Sequence, residues 1–450
     1  MPGEPDDVRA AQHDVLASLP PTTSAPPDEG PGIVANSAVN IAGRAVGHGL
    51  SALSGFITAA VLGEGIIGAL AVIFGFVELG RGFSNFTHNP SIMEVHRGKD
   101  PTSVFGTSLA LKLTGATVLF VVLALMGPWL GEAFDVPYLA LLLASLVLMA
   151  GTFFEVGAAR LEAENRMVLS NLLLASGPIV GLLSILAFWL TGTLNLYTSI
   201  VSTLLANVTM SVGFALAWRG PLRFRFDTDV AWYLVHYGFR LVVATFLTTA
   251  LIWTDTLLMS YLRGNDETGI YQTAFNMTFA MVTLSVSIGV ALVPALSRLA
   301  GRGDSTVLAY QRATVLALVL SVAIALVYAA FGKWFLQLLG HRFVEGYPAL
   351  LVLTLFGIAG ALAVPAQSIL TVHGHANWIM ALSVAQLVVN FPLNWVLIQS
   401  WGPLGAAVAT TVVFVLGTAA SWVLVRKAIG AWPLSREVFR ELRQGVLHRR

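Results

Sequence analysis

The chain has 450 residues, of which 56% are apolar and only 11% are charged, and its mean hydropathy is +0.77. Soluble proteins carry about 25% charged residues, so this composition predicts a polytopic membrane protein. The net charge of +1 gives no reason to expect a nucleic-acid partner. The absence of cysteine excludes disulfides, thiolate metal sites and cysteine nucleophiles.

The first 32 residues contain the proline pairs Pro20-Pro21 and Pro26-Pro27 and no apolar run, so they predict a disordered tail. No cleavable signal peptide precedes the first apolar stretch, which we expect to act as its own insertion signal. A membrane span needs about 20 mostly apolar residues. Twelve stretches meet that requirement: 35–62, 66–88, 105–130, 136–159, 168–191, 195–218, 236–262, 268–293, 307–332, 347–371, 377–399 and 404–427.

Arginine and lysine are distributed unevenly between the two sides that these spans define. If both termini are cytoplasmic, the other side carries only Arg263, Lys333 and Arg342. This asymmetry follows the positive-inside rule and favours an even number of spans. We therefore expect a multi-pass protein of the cytoplasmic membrane with both termini inside.

The two halves of the chain resemble each other. Gly68-Ala-Leu70 aligns with Gly269-Ile-Tyr271, and further pairs follow at a similar offset: Pro90 with Pro294, Asp100 with Asp304, and Gly192 with Gly402. Two halves of six spans in the same orientation imply a pseudo-twofold axis along the membrane normal, with a cavity between them. The predicted domains are a tail 1–32, a six-helix bundle 33–218, a cytoplasmic linker 219–235, a second bundle 236–428 and a basic tail 429–450.

The first span carries a polar stripe at helical spacing. Because positions three and four apart share one helix face, these side chains lie along one line: Asn36, Asn40, Arg44, His48 and Ser51. An arginine facing lipid is costly. The stripe therefore predicts a water-filled lumen, and the alternative is an arginine that snorkels or holds two helices together.

The second span repeats this pattern with Glu78, Arg81, Asn85 and His88. Glu78 and Arg81 are three residues apart, so an internal ion pair is as good an interpretation as contact with a substrate. For the next two spans, Lys112 is expected to snorkel to the cytoplasmic surface. Glu155 is expected to pair with Arg160 or Arg166.

Asp255 is an acid within the otherwise apolar seventh span. Since an unpaired charge at mid-bilayer costs about 2.5–3.5 kcal/mol on insertion scales, such a residue predicts a functional site, either in the cavity or coupling an ion. The alternative is a structural hydrogen bond to a neighbouring helix. Four amides of the second half are further cavity candidates, with interhelical hydrogen bonding as their commoner role: Gln272, Asn276, Asn390 and Asn394.

Three short motifs carry a resemblance to a known family. They are Trp253-Thr-Asp255-Thr inside a helix, Gly269-Ile-Tyr271 opening the next one, and Pro294-Ala-Leu-Ser297 at its exit. With the hydropathy of residues 33–430, they resemble the polysaccharide and oligosaccharide-lipid flippases of the multidrug/oligosaccharidyl-lipid/polysaccharide (MOP) exporter superfamily. The resemblance implies an all-α, MATE-like fold of about twelve transmembrane helices in two bundles.

The resemblance also implies a function. It is the movement of a polyprenyl- or dolichyl-(pyro)phosphate-linked glycan across the membrane by alternating access. From the residues, Arg44 or Arg81 is the candidate phosphate contact, since a guanidinium fork matches phosphate oxygens, and we expect Arg44 to make it. H⁺ or Na⁺ and glycan-assembly enzymes are further candidate partners. The alternatives are a multidrug or cation antiporter of the same superfamily and a membrane scaffold for glycan synthesis. No phosphate-cradling loop, metal-ligand cluster or catalytic grouping occurs in the sequence, so we expect a transporter without cofactors rather than an enzyme.

Overall fold

The computed structural model describes residues 30–84, 87–164, 166–218, 225–302 and 304–434, with the backbone alone described over residues 30–46. Every regular element among these residues is helical. The first half comprises α1 (Gly30–Ser84), α2 (His88–His96), α3 (Pro101–Phe134), α4 (Tyr138–Ala163), α5 (Met167–Leu190) and α6 (Leu196–Ala217). The second comprises α7 (Thr228–Arg263), α8 (Asn265–Gly301), α9 (Val307–Leu339), a 3₁₀ turn His341–Gly346, α10 (Tyr347–Val372), α11 (Ala376–Trp401) and α12 (Pro403–Ile429).

Each of the twelve predicted spans lies largely on one of these helices. The first two lie on α1, which changes direction at Gly63, where the backbone φ is 77°. By length and hydropathy, nine described stretches are able to cross a membrane, among them Gly47–Gly82 with its kink. The fold is therefore the predicted all-α membrane protein of about twelve spans.

The turn between the seventh and eighth spans is shorter than the sequence indicated. The predicted spans 236–262 and 268–293 leave a polar turn over residues 263–267, whereas α8 already begins at Asn265 and Gly264 alone separates the helices. Gly264 adopts a φ of 85°, a backbone conformation that residues other than glycine rarely adopt. Asp266 and Glu267 then occupy the first turn of α8, where acids are stabilised by the partial positive charge of a helix N-terminus. These polar residues therefore mark the start of a helix rather than a loop.

Four helix contacts of the first half recur in the second. In the first half α1 contacts α5, α3 contacts α4, and α6 contacts both α4 and α5; α7 to α12 repeat these neighbours. A tyrosine hydrogen bond also recurs at matching positions. The Tyr138 hydroxyl donates to the Ala124 carbonyl at 3.1 Å, and the Tyr347 hydroxyl donates to the Ala329 carbonyl at 2.8 Å. The internal repeat predicted from sequence is thus present in the packing. We call α1–α6 the N half and α7–α12 the C half.

The halves meet most closely where α1 crosses α8. A Cβ on Gly68 would lie 1.9 Å from the carbonyl oxygen of Asn265, and a Cβ on Gly269 would lie 1.9 Å from that of Glu64. The contact is reciprocal, as a pseudo-twofold axis through the crossing requires. Packing at this distance is a common basis of helix association in membranes, since lipid supplies no hydrophobic drive between helices. The crossing lies at the end that we predict to be outside.

Candidate functional site

A cluster of four charged side chains lies inside the N half, between α1, α3 and α4. Lys112 of α3 is only 1% exposed, and its Nζ lies 2.5 Å from Oε2 of Glu155 on α4. Arg81 of α1 approaches the other oxygen of Glu155, with Nε 3.6 Å from Oε1. Nη1 of Arg81 in turn donates to Oε1 of Glu78 at 2.6 Å. Two cations and two carboxylates therefore form one connected network.

Two expectations for this region were wrong. Lys112 does not snorkel to the surface, because its ammonium is buried against Glu155. Glu155 pairs with Lys112 and Arg81 instead of Arg160 or Arg166, which both lie against Glu164, at 2.8 Å and 3.5 Å. The sequence pattern gave preference to charges close along the chain, whereas the fold brings α3 and α1 alongside α4. A buried lysine is tolerated here because a carboxylate compensates its charge.

A further polar contact joins α2 to α4 nearer the predicted cytoplasmic end. Nε2 of His88 lies 3.1 Å from Oε2 of Glu162. Glu162 follows Glu155 on α4 by seven residues, which is about two helical turns and therefore the same face. Glu162 was not singled out from the sequence. The spacing of seven residues from Glu155 was the sequence feature that could have identified it.

The polar stripe of the first span is described only in part. His48 and Ser51 line a cleft of about 200 Å³ between α1 and α5, together with Asn171. His48 is exposed there, in keeping with a water-accessible face. The side chains of Arg44 and Asn40, and all of Asn85, lie outside the described residues. Their roles stay predictions.

Asp255 lies at the centre of the C half and is completely buried. Its Oδ2 accepts hydrogen bonds from the hydroxyl of Tyr271 on α8 and from that of Thr410 on α12, the latter at 2.9 Å. Its Oδ1 has no partner among the described residues. In this conformation the carboxyl is enclosed by helices and shielded from solvent. Whether it couples an ion stays a prediction.

The amides of the C half occupy two positions around Asp255. Gln272 accepts a hydrogen bond from Thr256 at 2.7 Å and donates to Asn276 at 2.9 Å. On α11, Asn390 donates to the Leu251 carbonyl at 3.3 Å, and Asn394 donates to the Oδ1 of Asn390 at 2.6 Å. Interhelical or local hydrogen bonding is thus the observed arrangement for these residues. Asn276 alone among the described candidate amides is exposed.

Two residues that complete the geometry, Thr410 and Arg342, were given no role from the sequence. Thr410 lies 155 residues from Asp255 in the chain, so no local pattern pairs them. Arg342 donates through Nη1 to Glu64 at 2.7 Å and to Asp266 at 3.0 Å, and so joins the two halves beside the glycine crossing. Arg342 is one of only three basic residues on the predicted outer side, and this isolation was the available signal.

Comparison with solved structures defines the class of fold. An inward-facing multidrug resistance MATE family transporter of the MOP superfamily superposes with a TM-score of 0.72 at 14% identity, over 88% of this chain and 98% of that one. The lipid II flippase MurJ in an inward closed conformation also gives 0.72, at 12% identity over 87% of both chains. An outward-facing MATE transporter gives 0.62 at 16% identity, over 88% and 95%. The fold is that of the MOP superfamily.

Comparison of sequences defines the family. Residues 65–348, more than half of the chain, match the family described as polysaccharide biosynthesis protein. The chain belongs to that family. The probable flippase AglR of Haloferax volcanii is 26% identical over 204 residues, which are 44% of this chain and 41% of AglR, so the match spans less than half of that relative.

Proposed function

We propose that this protein is a flippase that moves a lipid-linked oligosaccharide or polysaccharide precursor across the cytoplasmic membrane by alternating access. The lipid tail stays in the bilayer while the glycan headgroup crosses between the two bundles, about 33–218 and 236–428. The family and the relative named as a probable flippase support this substrate class. Carriers of the polyprenyl- or dolichyl-phosphate type fit this substrate class. In this proposal both termini of the protein are cytoplasmic.

The observation that carries the proposal is the closure of one end. Gly68 and Gly269 place equivalent helices of the two halves in backbone contact, and Arg342 bridges Glu64 and Asp266 beside them. Away from this contact one face of the first segment of α1 is open, since a Cβ on Gly49 or Gly55 would meet no atom within 4 Å. Halves joined closely at one end are what a rocking motion about a central site requires.

Charged groups inside the N half fit an anionic headgroup. Arg81 is 27% exposed and therefore reachable, and a guanidinium presents the planar donor fork that matches phosphate oxygens. A fixed cation attracts an anion more strongly in a low-dielectric lumen than in water. We extend the same role to Arg44. A multidrug or cation antiporter is the weaker alternative, because the matched family is one of polysaccharide biosynthesis.

The proposal is tested by locking the closed end. The chain has no native cysteine, so Gly65→Cys and Asp266→Cys introduce one thiol into each half at a place where a Cβ on Gly65 would lie 2.6 Å from Asp266 Oδ1. In vesicles loaded with a fluorescent lipid-linked oligosaccharide, oxidation of this pair should abolish translocation. Reduction should restore it.

A disulfide within one half serves as the matched control. Gly127→Cys with Tyr138→Cys joins α3 to α4, where a Cβ on Gly127 would lie 2.4 Å from the Tyr138 ring. This pair should oxidise without loss of translocation, because it does not connect the halves. Unchanged translocation after complete cross-linking of the first pair would exclude alternating access. Absence of any translocation by the reduced proteins would exclude the flippase itself.

A further inference from the structure

Two carboxylates share Arg81, and they are held differently. Glu155 contacts both Arg81 and the buried ammonium of Lys112, which lies 2.5 Å from it. Among the described residues, Glu78 contacts only Arg81, at 2.6 Å. Glu155 is therefore fixed by two cations from two helices. Glu78 is held by one cation, three residues along its own helix.

Accessibility separates the same two carboxylates. The side chain of Glu78 is 32% exposed and that of Glu155 is 13% exposed. Moving Glu155 away would leave the ammonium of Lys112 buried without a counter-charge, which is strongly unfavourable. Moving Glu78 away exposes only a guanidinium that already borders solvent. Glu78 is consequently the carboxylate that an incoming anion can replace.

The charge balance favours replacement over simple addition. Among the described residues Arg81 and Lys112 balance Glu78 and Glu155, so these four groups together carry no net charge. An anion that approached this neutral cluster would gain little net attraction. If Glu78 swings away, the remaining three groups carry one net positive charge. Phosphate and carboxylate oxygens accept the same paired hydrogen bonds from a guanidinium, so one can take the place of the other.

We propose that Glu78 occupies the phosphate-binding face of Arg81 in the empty protein and that the phosphate of the lipid-linked substrate displaces it. Lys112 and Glu155 act as positioning residues that keep Arg81 in place during the exchange. When the headgroup leaves, Glu78 returns to Arg81 and assists release. This inference rests on the proposed function and adds to it the residue that competes with the substrate.

Glu78→Gln tests the exchange, because it removes the competing charge and keeps the size of the side chain. The full-length protein in nanodiscs is titrated with geranylgeranyl pyrophosphate by calorimetry, and geranylgeraniol serves as the probe without phosphate. The variant should bind the pyrophosphate about tenfold more tightly, the scale of a lost charge-assisted hydrogen bond. Its rate of glycan-lipid translocation should fall, since release is slowed. Glu78→Asp, which keeps the charge, should bind like the wild type.

Glu162→Gln is the matched control, with the same chemical change on a carboxylate that pairs with His88 instead of Arg81. Its pyrophosphate affinity should equal that of the wild type. If Glu78→Gln and Glu162→Gln bind alike, the exchange is overturned while the flippase stands. If the wild type does not discriminate the pyrophosphate from the alcohol, the proposed function fails with it. Equal competition by inorganic pyrophosphate would overturn the assignment to a lipid headgroup.

Discussion

Each half of the molecule contains a buried acid, and the two acids are stabilised in opposite ways. Glu155 in the N half lies against two cations, Lys112 and Arg81. Asp255 in the C half accepts hydrogen bonds from two neutral hydroxyls and forms no ion pair among the described residues. A carboxylate with compensating cations is a fixed part of a network. One without them has a charge that the surrounding groups do not cancel, so its interactions depend on what else binds there.

From this difference we propose different roles for the two halves. The N half presents cations that are already balanced, which suits the exchange of one anion for another. The C half presents an uncompensated acid between α7, α8 and α12, which suits a site that gains or loses a cation during a cycle. Because four helix contacts recur in both halves, we attribute the contrast to a few side chains.

The largest effect should follow from breaking the compensation in the N half. Lys112→Met leaves Glu155 with Arg81 alone, at 3.6 Å, and removing one partner of a buried pair costs about 3–5 kcal/mol. We expect a large loss of thermal stability in detergent. The double variant Lys112→Met with Glu155→Gln should recover most of it, since no isolated charge is left. A single variant as stable as the wild type would contradict the comparison.

In the C half the corresponding change should affect transport more than stability. Asp255→Asn removes the charge but keeps an oxygen that can accept from Tyr271 and Thr410. We expect the melting temperature to be maintained and transport driven by an ion gradient to fall by at least about fivefold, the lower end of site-to-site coupling. Thr410→Val is the control that removes one hydrogen bond and leaves the acid. Survival of gradient-dependent transport in Asp255→Asn would make the acid structural.

The sequence predicted the fold more completely than the site, for a physical reason. Apolar run length fixes where a helix can span, so the twelve spans could be predicted from hydropathy. The repeat could be predicted from pairs such as Gly68 and Gly269. The ion pair between Glu78 and Arg81 could also be predicted, because the two residues are three apart on one helix. The Lys112–Glu155 pair and the Asp255–Thr410 hydrogen bond join helices that are distant in sequence. No spacing rule encodes such contacts, and they appear only once the bundle order is known.

The smallest effect is expected from removing the ion pair by which Arg342 of the C half contacts the N half. Arg342 and Asp266 belong to the C half and Glu64 to the N half, so only the 2.7 Å pair between Arg342 and Glu64 crosses the boundary. Arg342 is 56% exposed, and exposed ion pairs contribute little and are screened by salt. Glu64→Gln should therefore raise the population of the conformation opened at this end by only a few-fold. The glycine crossing still holds the halves together.

Asp266→Asn is the matched control, because it removes an ion pair that lies within one half. Spectroscopic distances between spin labels placed in opposite halves at this end would measure the shift. We expect a shift for Glu64→Gln that exceeds that for Asp266→Asn and that diminishes at high salt. Equal shifts for the two variants, or a shift independent of salt, would show that Arg342 does not couple the halves. The closed end would then depend on helix packing alone.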